Sequence, residues 1–225
     1  MVLCERVVSH ELSFIVVHTI YLLSGRGRRL ALILLLAGTL ASGCSKPSGN
    51  PKVPEGARSS GGLHAILDTS MGAIEIEFFA KEAPKATENF RLLAEHGYYD
   101  GLTFHRIVKG FMIQGGDPRG DGKGGESAWG GEFDDEIAPE SPLYRGGYRR
   151  GLVAMANHGA NTNGSQFFIM HRDYPLDPKY VIFARVTGGM DVVDRLAETP
   201  TTMGDDGNMS KPVTVQIMKR VVVRP

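Results

Sequence analysis

Cysteine is almost missing from this chain of 225 residues: there are two, Cys4 and Cys44, both near the N-terminus. Everything after Cys44 therefore folds without a disulfide and without thiol chemistry. That absence is compatible with an oxidising compartment and does not demonstrate one. An excess of one charge is also missing. There are 25 basic and 25 acidic residues, a formal net charge of zero. No basic stripe marks a nucleic-acid footprint. Long apolar runs are absent as well. The two candidates, 14–23 and 30–40, fall short of the about 20 residues a spanning helix needs. The seven histidines show no metal-ligand spacing, and no internal repeat is visible.

Hydrophobic residues make up 42% of the chain, enough to bury an ordinary core. Twenty-nine glycines favour many tight turns, and so short strands over long helices. Residues 26–44 have a distinct order. Arg26, Arg28 and Arg29 are followed by the apolar run Leu30–Leu40, then Ala41-Ser42-Gly43 and Cys44. Basic, apolar, small is the anatomy of an export signal. A-S-G-C resembles a lipobox, in which the cysteine is lipidated and becomes the mature N-terminus. Residues 1–25, with Glu5, His10, Glu11 and His18, fit that pattern poorly. They are either an artefact of a start codon set upstream or an N-terminal extension.

Three segments follow. Residues 1–44 are the extension and lipoprotein-type signal. Residues 45–62, rich in proline, glycine and serine, form a linker too polar to fold. Residues 63–225 form the globular domain. The expected location is exported and membrane-anchored through Cys44, on the periplasmic or cell-surface side.

Within the domain, 64–67 and 73–79 alternate apolar and polar, the period of half-buried strands. Thr69-Ser70-Met71-Gly72 reads as the turn between them. Pro84 opens a helix with Ala86, Phe90, Leu93 and Ala94 on one face, and Gly97 stops it. Strands are expected at 103–107, 111–115, 152–156, 165–170, 181–186 and 212–223, with a short helix at 190–197. Many short strands and two helices predict a mainly β fold, a closed antiparallel eight-stranded barrel flanked by two α-helices.

Three stretches carry a resemblance. Residues 104–117 read F-H-R-I-V-K-G-F-M-I-Q-G-G-D, 124–136 read G-G-E-S-A-W-G-G-E-F-D-D-E, and 151–169 read G-L-V-A-M-A-N-H-G-A-N-T-N-G-S-Q-F-F-I. In order and spacing they resemble the cyclophilin family of peptidyl-prolyl cis-trans isomerases, with similarity running from about 63 to 222. The resemblance implies a cyclophilin-like barrel acting on proline-containing polypeptides, as a monomer, with neither metal nor cofactor; with the signal-like order of 26–44, the expected substrates are exported proteins.

The chemistry fits those residue types. An X–Pro bond has nearly balanced cis and trans forms, separated by a barrier of about 18–20 kcal/mol that reflects lost amide resonance. Neither a nucleophile nor a metal is required. A cation donating to the prolyl nitrogen favours the twisted amide, where that nitrogen gains lone-pair character. The resemblance assigns this role to Arg106. It places Phe111, Met112 and Phe168 around the proline ring, although each residue alone would suit plain core packing. It places Gln114 and Asn157 on the substrate backbone, with Ala156 and His158 beside them. A structural Gln114 is the alternative, since a buried glutamine needs a partner. Gln166 joins the network around Arg106. His105 faces the opposite side of its strand and is structural.

The stretch R-D-Y-P-L-D-P-K-Y at 172–180 departs from the family. Leu176 matches, but the usual tryptophan place falls on Pro175 or Tyr174, and the usual histidine place on Tyr180. Tyr180 can still close the pocket with an aromatic face. The departure bears on peptide preference and cyclosporin binding rather than on the core reaction. Gly120–Gly125 matches G-x-G-x-x-G, but no helix pattern follows, so it reads as a plain loop. Asp134, Asp135 and Glu136 read as a solvated acidic turn. A peptide-binding module without catalysis is the rival from another class. A small-ligand barrel leaves the three motifs unexplained.

Mass spectrometry of the mature N-terminus checks the anchor. The expected result is a lipid-modified Cys44 at the first position, carrying more than one acyl chain, because a single chain binds membranes only marginally. An unmodified Cys44 inside a longer intact chain refutes it.

Overall fold

The computed structural model describes residues 62–225. The signal-like segment 26–44, the anchor Cys44 and linker residues 45–61 lie outside the described residues.

The domain opens with a hairpin, β1 (His64–Thr69) and β2 (Gly72–Phe78), turning at Ser70-Met71. Thr69 tightens the turn, its Oγ1 donating to the Gly72 carbonyl at 2.6 Å. Helix α1 (Pro84–Glu95) starts on Pro84, whose missing N–H costs nothing there. It buries Ala86, Phe90, Leu93 and Ala94. It stops at Gly97, which takes φ +68°, a conformation that suits glycine. Gly97 N–H donates to the Ala94 carbonyl and Tyr98 N–H to that of Leu93, closing the last turn.

Then come β3 (Arg106–Val108), β4 (Met112–Gly115), a short helix α2 (Pro142–Arg145), β5 (Leu152–Met155) and β6 (Phe167–Met170). β7 (Ile182–Gly188), α3 (Met190–Ala197), β8 (Thr201–Met203), β9 (Met209–Pro212) and β10 (Met218–Arg224) complete the chain.

The main sheet has eight strands in the order β10-β1-β2-β7-β5-β6-β4-β3. It is strongly curled but open, not the closed barrel that the sequence predicts. β10 and β3 are its two edges and do not pair. β3 is only three residues long, so the irregular run 101–104 faces the start of β10 instead. Thr103 bridges Ile217, Phe104 N–H donates to the Gln216 carbonyl, and Met218 N–H to that of Leu102. Other expectations change too. The last expected strand, 212–223, begins only at Met218, as β10; Pro212 ends β9, which forms a separate two-stranded sheet with β8, and 213–217 belong to neither strand. Helix α2 was not expected, although Ser141-Pro142 is a helix-start signature, with Ser141 Oγ accepting from Tyr144 N–H at 3.5 Å.

The acidic turn is not merely solvated. Both carboxylate oxygens of Glu136 accept helix-end N–H groups of α1, from Lys85 and Ala86, each at 2.9 Å. Since α1 has no side-chain cap of its own, this distant residue satisfies its free donors. Asp135 accepts from Asn163 Nδ2 and Asn161 N–H, and Asp134 pairs with Lys85.

Apolar residues divide into two clusters. The larger spans β1, β2, α1 and α3 and the inward positions of the other strands. Phe90 lies at its centre, with ring neighbours Phe78, Tyr99, Phe167 and Phe183 at 4.7–5.6 Å. The smaller gathers Met112, Ala154, Phe168, Met170 and Ile182. Truncating Phe90 leaves a large void inside the first cluster. Phe90→Ala is therefore expected to lower unfolding free energy by about 3–5 kcal/mol, measured by urea denaturation.

Candidate active site

Strand register builds the site. Arg106 on β3 is opposite Gln114 on β4, Gln114 opposite Phe168 on β6, and Phe168 opposite Ala154 on β5. Because side chains alternate along a strand, this row shares one face. The intervening Ile107, Ile113, Phe167, Ile169 and Val153 are fully buried in the larger cluster. The row itself faces the smaller cluster and the surface.

Six of the expected pocket residues meet there. Met112 and Phe168 are buried, while Phe111, Ala156, Leu176 and Tyr180 pack half-buried against the same cluster. The Tyr180 ring meets Phe168 edge-on, with centroids 5.4 Å apart. Tyr174, one of the two residues expected at the usual tryptophan place, lies against Phe111 at 4.3 Å.

The polar edge of the row is continuous. Arg106 Nη1 lies 3.5 Å from Gln114 Oε1 and 3.7 Å from Met112 Sδ, and the guanidinium carbon is 5.9 Å from the centre of the Phe111 ring. Gln114 Nε2 donates to Gln166 Oε1 at 2.9 Å. Gln166 Nε2 in turn donates to the carbonyls of Gly122 and Gly124, tying the glycine loop to the row. Gln114 is thus half-buried with a partner at each end of its amide.

A cavity of about 560 Å³ opens beside it, lined by Gly122, Gly124, Asn157, His158 and Gln166 among others. Asn157 Nδ2 donates to the Lys179 carbonyl at 2.8 Å. His158 is largely exposed and pairs with Glu132 at 3.1 Å, away from the apolar cluster.

Some supporting residues carry no local signal in the sequence. Tyr148 Oη donates to the Tyr180 carbonyl at 2.8 Å and accepts its N–H at 3.0 Å. Tyr144 Oη accepts from Ile182 N–H. Burial pushes both phenols up, so they stay neutral and can donate. His171 supports the turn carrying Phe111. Its Nδ1 accepts from Gly110 N–H at 3.0 Å, so its proton lies on Nε2, 3.2 Å from Asp194. Arg150 holds Asp194 with two bonds of 2.6 and 2.8 Å.

Asp206 accepts from Arg106 Nε at 2.7 Å. Burial opposes its charge, but donors from Ser210, Arg106 and Asn208 hold its carboxyl well below the usual range. Nothing local in the sequence marks these partners.

The arrangement combines an apolar pocket, a permanent cation at its edge and an anchored amide. Among the described residues no group of three or more His, Cys, Asp or Glu could hold a metal ion. This site can bind and polarise a peptide without an attacking group.

Comparisons with known proteins point to one family. The sequence model described as "Cyclophilin type peptidyl-prolyl cis-trans isomerase/CLD" matches residues 64–221. Peptidyl-prolyl cis-trans isomerase CYP18-1 of Arabidopsis thaliana is 51% identical over 144 residues, covering 64% of this chain and 88% of that protein. Peptidyl-prolyl cis-trans isomerase 9 of Schizosaccharomyces pombe is 52% identical over 145 residues, 64% of this chain but 23% of its own length. The solved structure of a Cryptosporidium parvum cyclophilin type peptidyl-prolyl cis-trans isomerase matches with a TM-score of 0.65 at 41% identity, covering 72% of this chain and 98% of that one.

Burial lowers the pKa of both His105 and His171. Neither ring nitrogen of His105 has a hydrogen-bond partner. The unfolded chain therefore takes up protons below the ordinary histidine value of about 6.5 that the folded chain refuses. Stability is fully present above that pH and is expected to fall as pH drops through it toward the lowered folded values, by up to about 1.4 kcal/mol per pH unit for each group. Urea denaturation at pH 7.5 and 5.5 measures this, and replacing both histidines by glutamine should flatten the difference.

Proposed function

The chain belongs to the cyclophilin-type peptidyl-prolyl cis-trans isomerase family, and we propose that it works on exported proteins, with Arg106 as the group that favours the twisted prolyl amide. The reaction makes and breaks no covalent bond. It requires only that the half-rotated amide be held better than either planar form. The proline ring enters between Phe111, Met112 and Phe168, and Tyr180 closes the far side. Gln114, held by Gln166, and Asn157 receive the flanking backbone.

As the amide twists, its nitrogen regains a lone pair, and an Arg106 Nη–H donates to it. Arginine cannot lose its proton at working pH, so it acts as a fixed charged donor and not as an acid. The carrying observation is a half-buried guanidinium at the edge of an apolar pocket, in register with Gln114 and Phe168.

Action outside the cytoplasm rests on the basic, apolar, small, cysteine order of residues 26–44. Among the described residues no helix is long and apolar enough to cross a membrane, and a lipid on Cys44 supplies attachment without one. The linker would let the domain reach unfolded chains near the membrane.

The protein should speed isomerisation of a short X–Pro peptide well above the uncatalysed rate. Arg106→Ala should lower kcat/KM by about a hundredfold or more, the scale of losing one preorganised donor, with the fold intact by circular dichroism. Equal rates in wild type and an equally folded variant would remove Arg106 from the mechanism. Peptide binding without any acceleration would favour the binding-module reading.

A further inference from the structure

We propose that Asp206 is a positioning residue for Arg106: its carboxylate holds Nε of the guanidinium and so aims the two Nη groups at the cleft. This rests on Arg106 being the transition-state donor. The geometry divides the labour at each end of the contact. Asp206 Oδ2 accepts from Arg106 Nε at 2.7 Å, across one hundred residues of sequence. Oδ1 is occupied within its own turn, accepting from Ser210 Oγ at 2.7 Å and Asn208 N–H at 3.1 Å. The carboxylate is therefore fixed before it meets the arginine.

Gly204 belongs to the same cradle. A Cβ there would fall on Ser210 Oγ and lie 2.9 Å from Asp206 Oδ1. Ser210 is buried, and the Arg106 and Asp206 side chains are each 28% exposed. The turn joins β8 to β9, so this small hairpin acquires a role the main sheet does not explain.

On the arginine, the choice of Nε matters. Guanidinium has five N–H donors in a rigid fork. Engaging Nε fixes the plane of the fork while leaving the Nη donors for Gln114 and the substrate. Arginine is otherwise a long side chain with many rotamers, and freedom lost before the substrate arrives is not lost during the reaction. In this proposal Asp206 acts through Arg106 and not on the substrate itself. Its effect should appear in the rate and not in ground-state affinity.

The test uses the full chain and two readouts. Asp206→Ala should lower kcat/KM for an X–Pro peptide by about tenfold, with peptide Kd within twofold of wild type. In nitrogen-15 NMR spectra the Arg106 Nε–H resonance should exchange slowly with water in the wild type and rapidly in the variant. Asp206→Asn keeps the side-chain volume and one weaker acceptor oxygen, so it should show a smaller loss of rate and of exchange protection in the same direction, which covers the case that alanine unfolds the hairpin. Thr201→Ala removes a different hairpin bond, Oγ1 to the Met209 carbonyl, and should leave rate and resonance within twofold.

Wild-type kcat/KM in a folded Asp206→Ala protein overturns the proposal. So does a lowered rate with the Nε–H resonance unchanged, or an equal loss in Thr201→Ala. If Arg106 is not the donor, Arg106→Ala keeps its activity while the wild-type Nε–H resonance still reports the contact, so the two failures are separable.

Discussion

The register of three short strands decides where the chemistry sits. Arg106, Gln114 and Phe168 meet because β3, β4 and β6 pair as they do, and a slip of one residue would turn each to the opposite face. That slip is resisted by the residues between them. Ile107, Ile113 and Ile169 are fully buried, and exposing such a side chain costs about 1.5–3 kcal/mol. A slip would also drive the Arg106 guanidinium into the aromatic cluster around Phe90, where an unpaired charge is costlier still. Stability and function therefore depend on the same alignment, read from opposite sides of the sheet.

Around that row, side chains from distant parts of the chain reduce freedom in the groups proposed to meet a substrate. Gln166 ties Gln114 to the glycine loop. His171 and Asp194 brace the turn before Phe111. Tyr148 anchors the backbone of Tyr180. Most of these contacts are made to backbone, so they set the position of a turn and not merely of one side chain. A reaction that needs only a better-held intermediate geometry gains most from such preorganisation.

Much of this was legible because strands and helices write their faces into local sequence. The alternation at 73–79 and the apolar spacing after Pro84 mark β2 and α1, and the turn at 69–72 and the stop at Gly97 follow from residue chemistry. The stretch 104–114 yields Arg106, Phe111 and Gln114 together because one hairpin carries all three. What remained hidden depends on partners far along the chain. Glu136 capping α1 is separated from it by about fifty residues, and Asp206 from Arg106 by one hundred. An acidic turn looks the same whether it meets water or a helix end. Closure of the sheet is hidden for a related reason: strand count is local information, but whether β10 reaches β3 depends on where the three-residue β3 ends.

A structure of the protein with an Ala-Pro-containing peptide bound tests the account most directly. The proline ring should lie between Phe111, Met112 and Phe168, with an Arg106 Nη atom within hydrogen-bond reach of the prolyl nitrogen or its adjoining carbonyl, about 2.7–3.2 Å, and Nε still on Asp206. A peptide seated elsewhere, or one in this pocket with the guanidinium turned away from the prolyl amide, would contradict it.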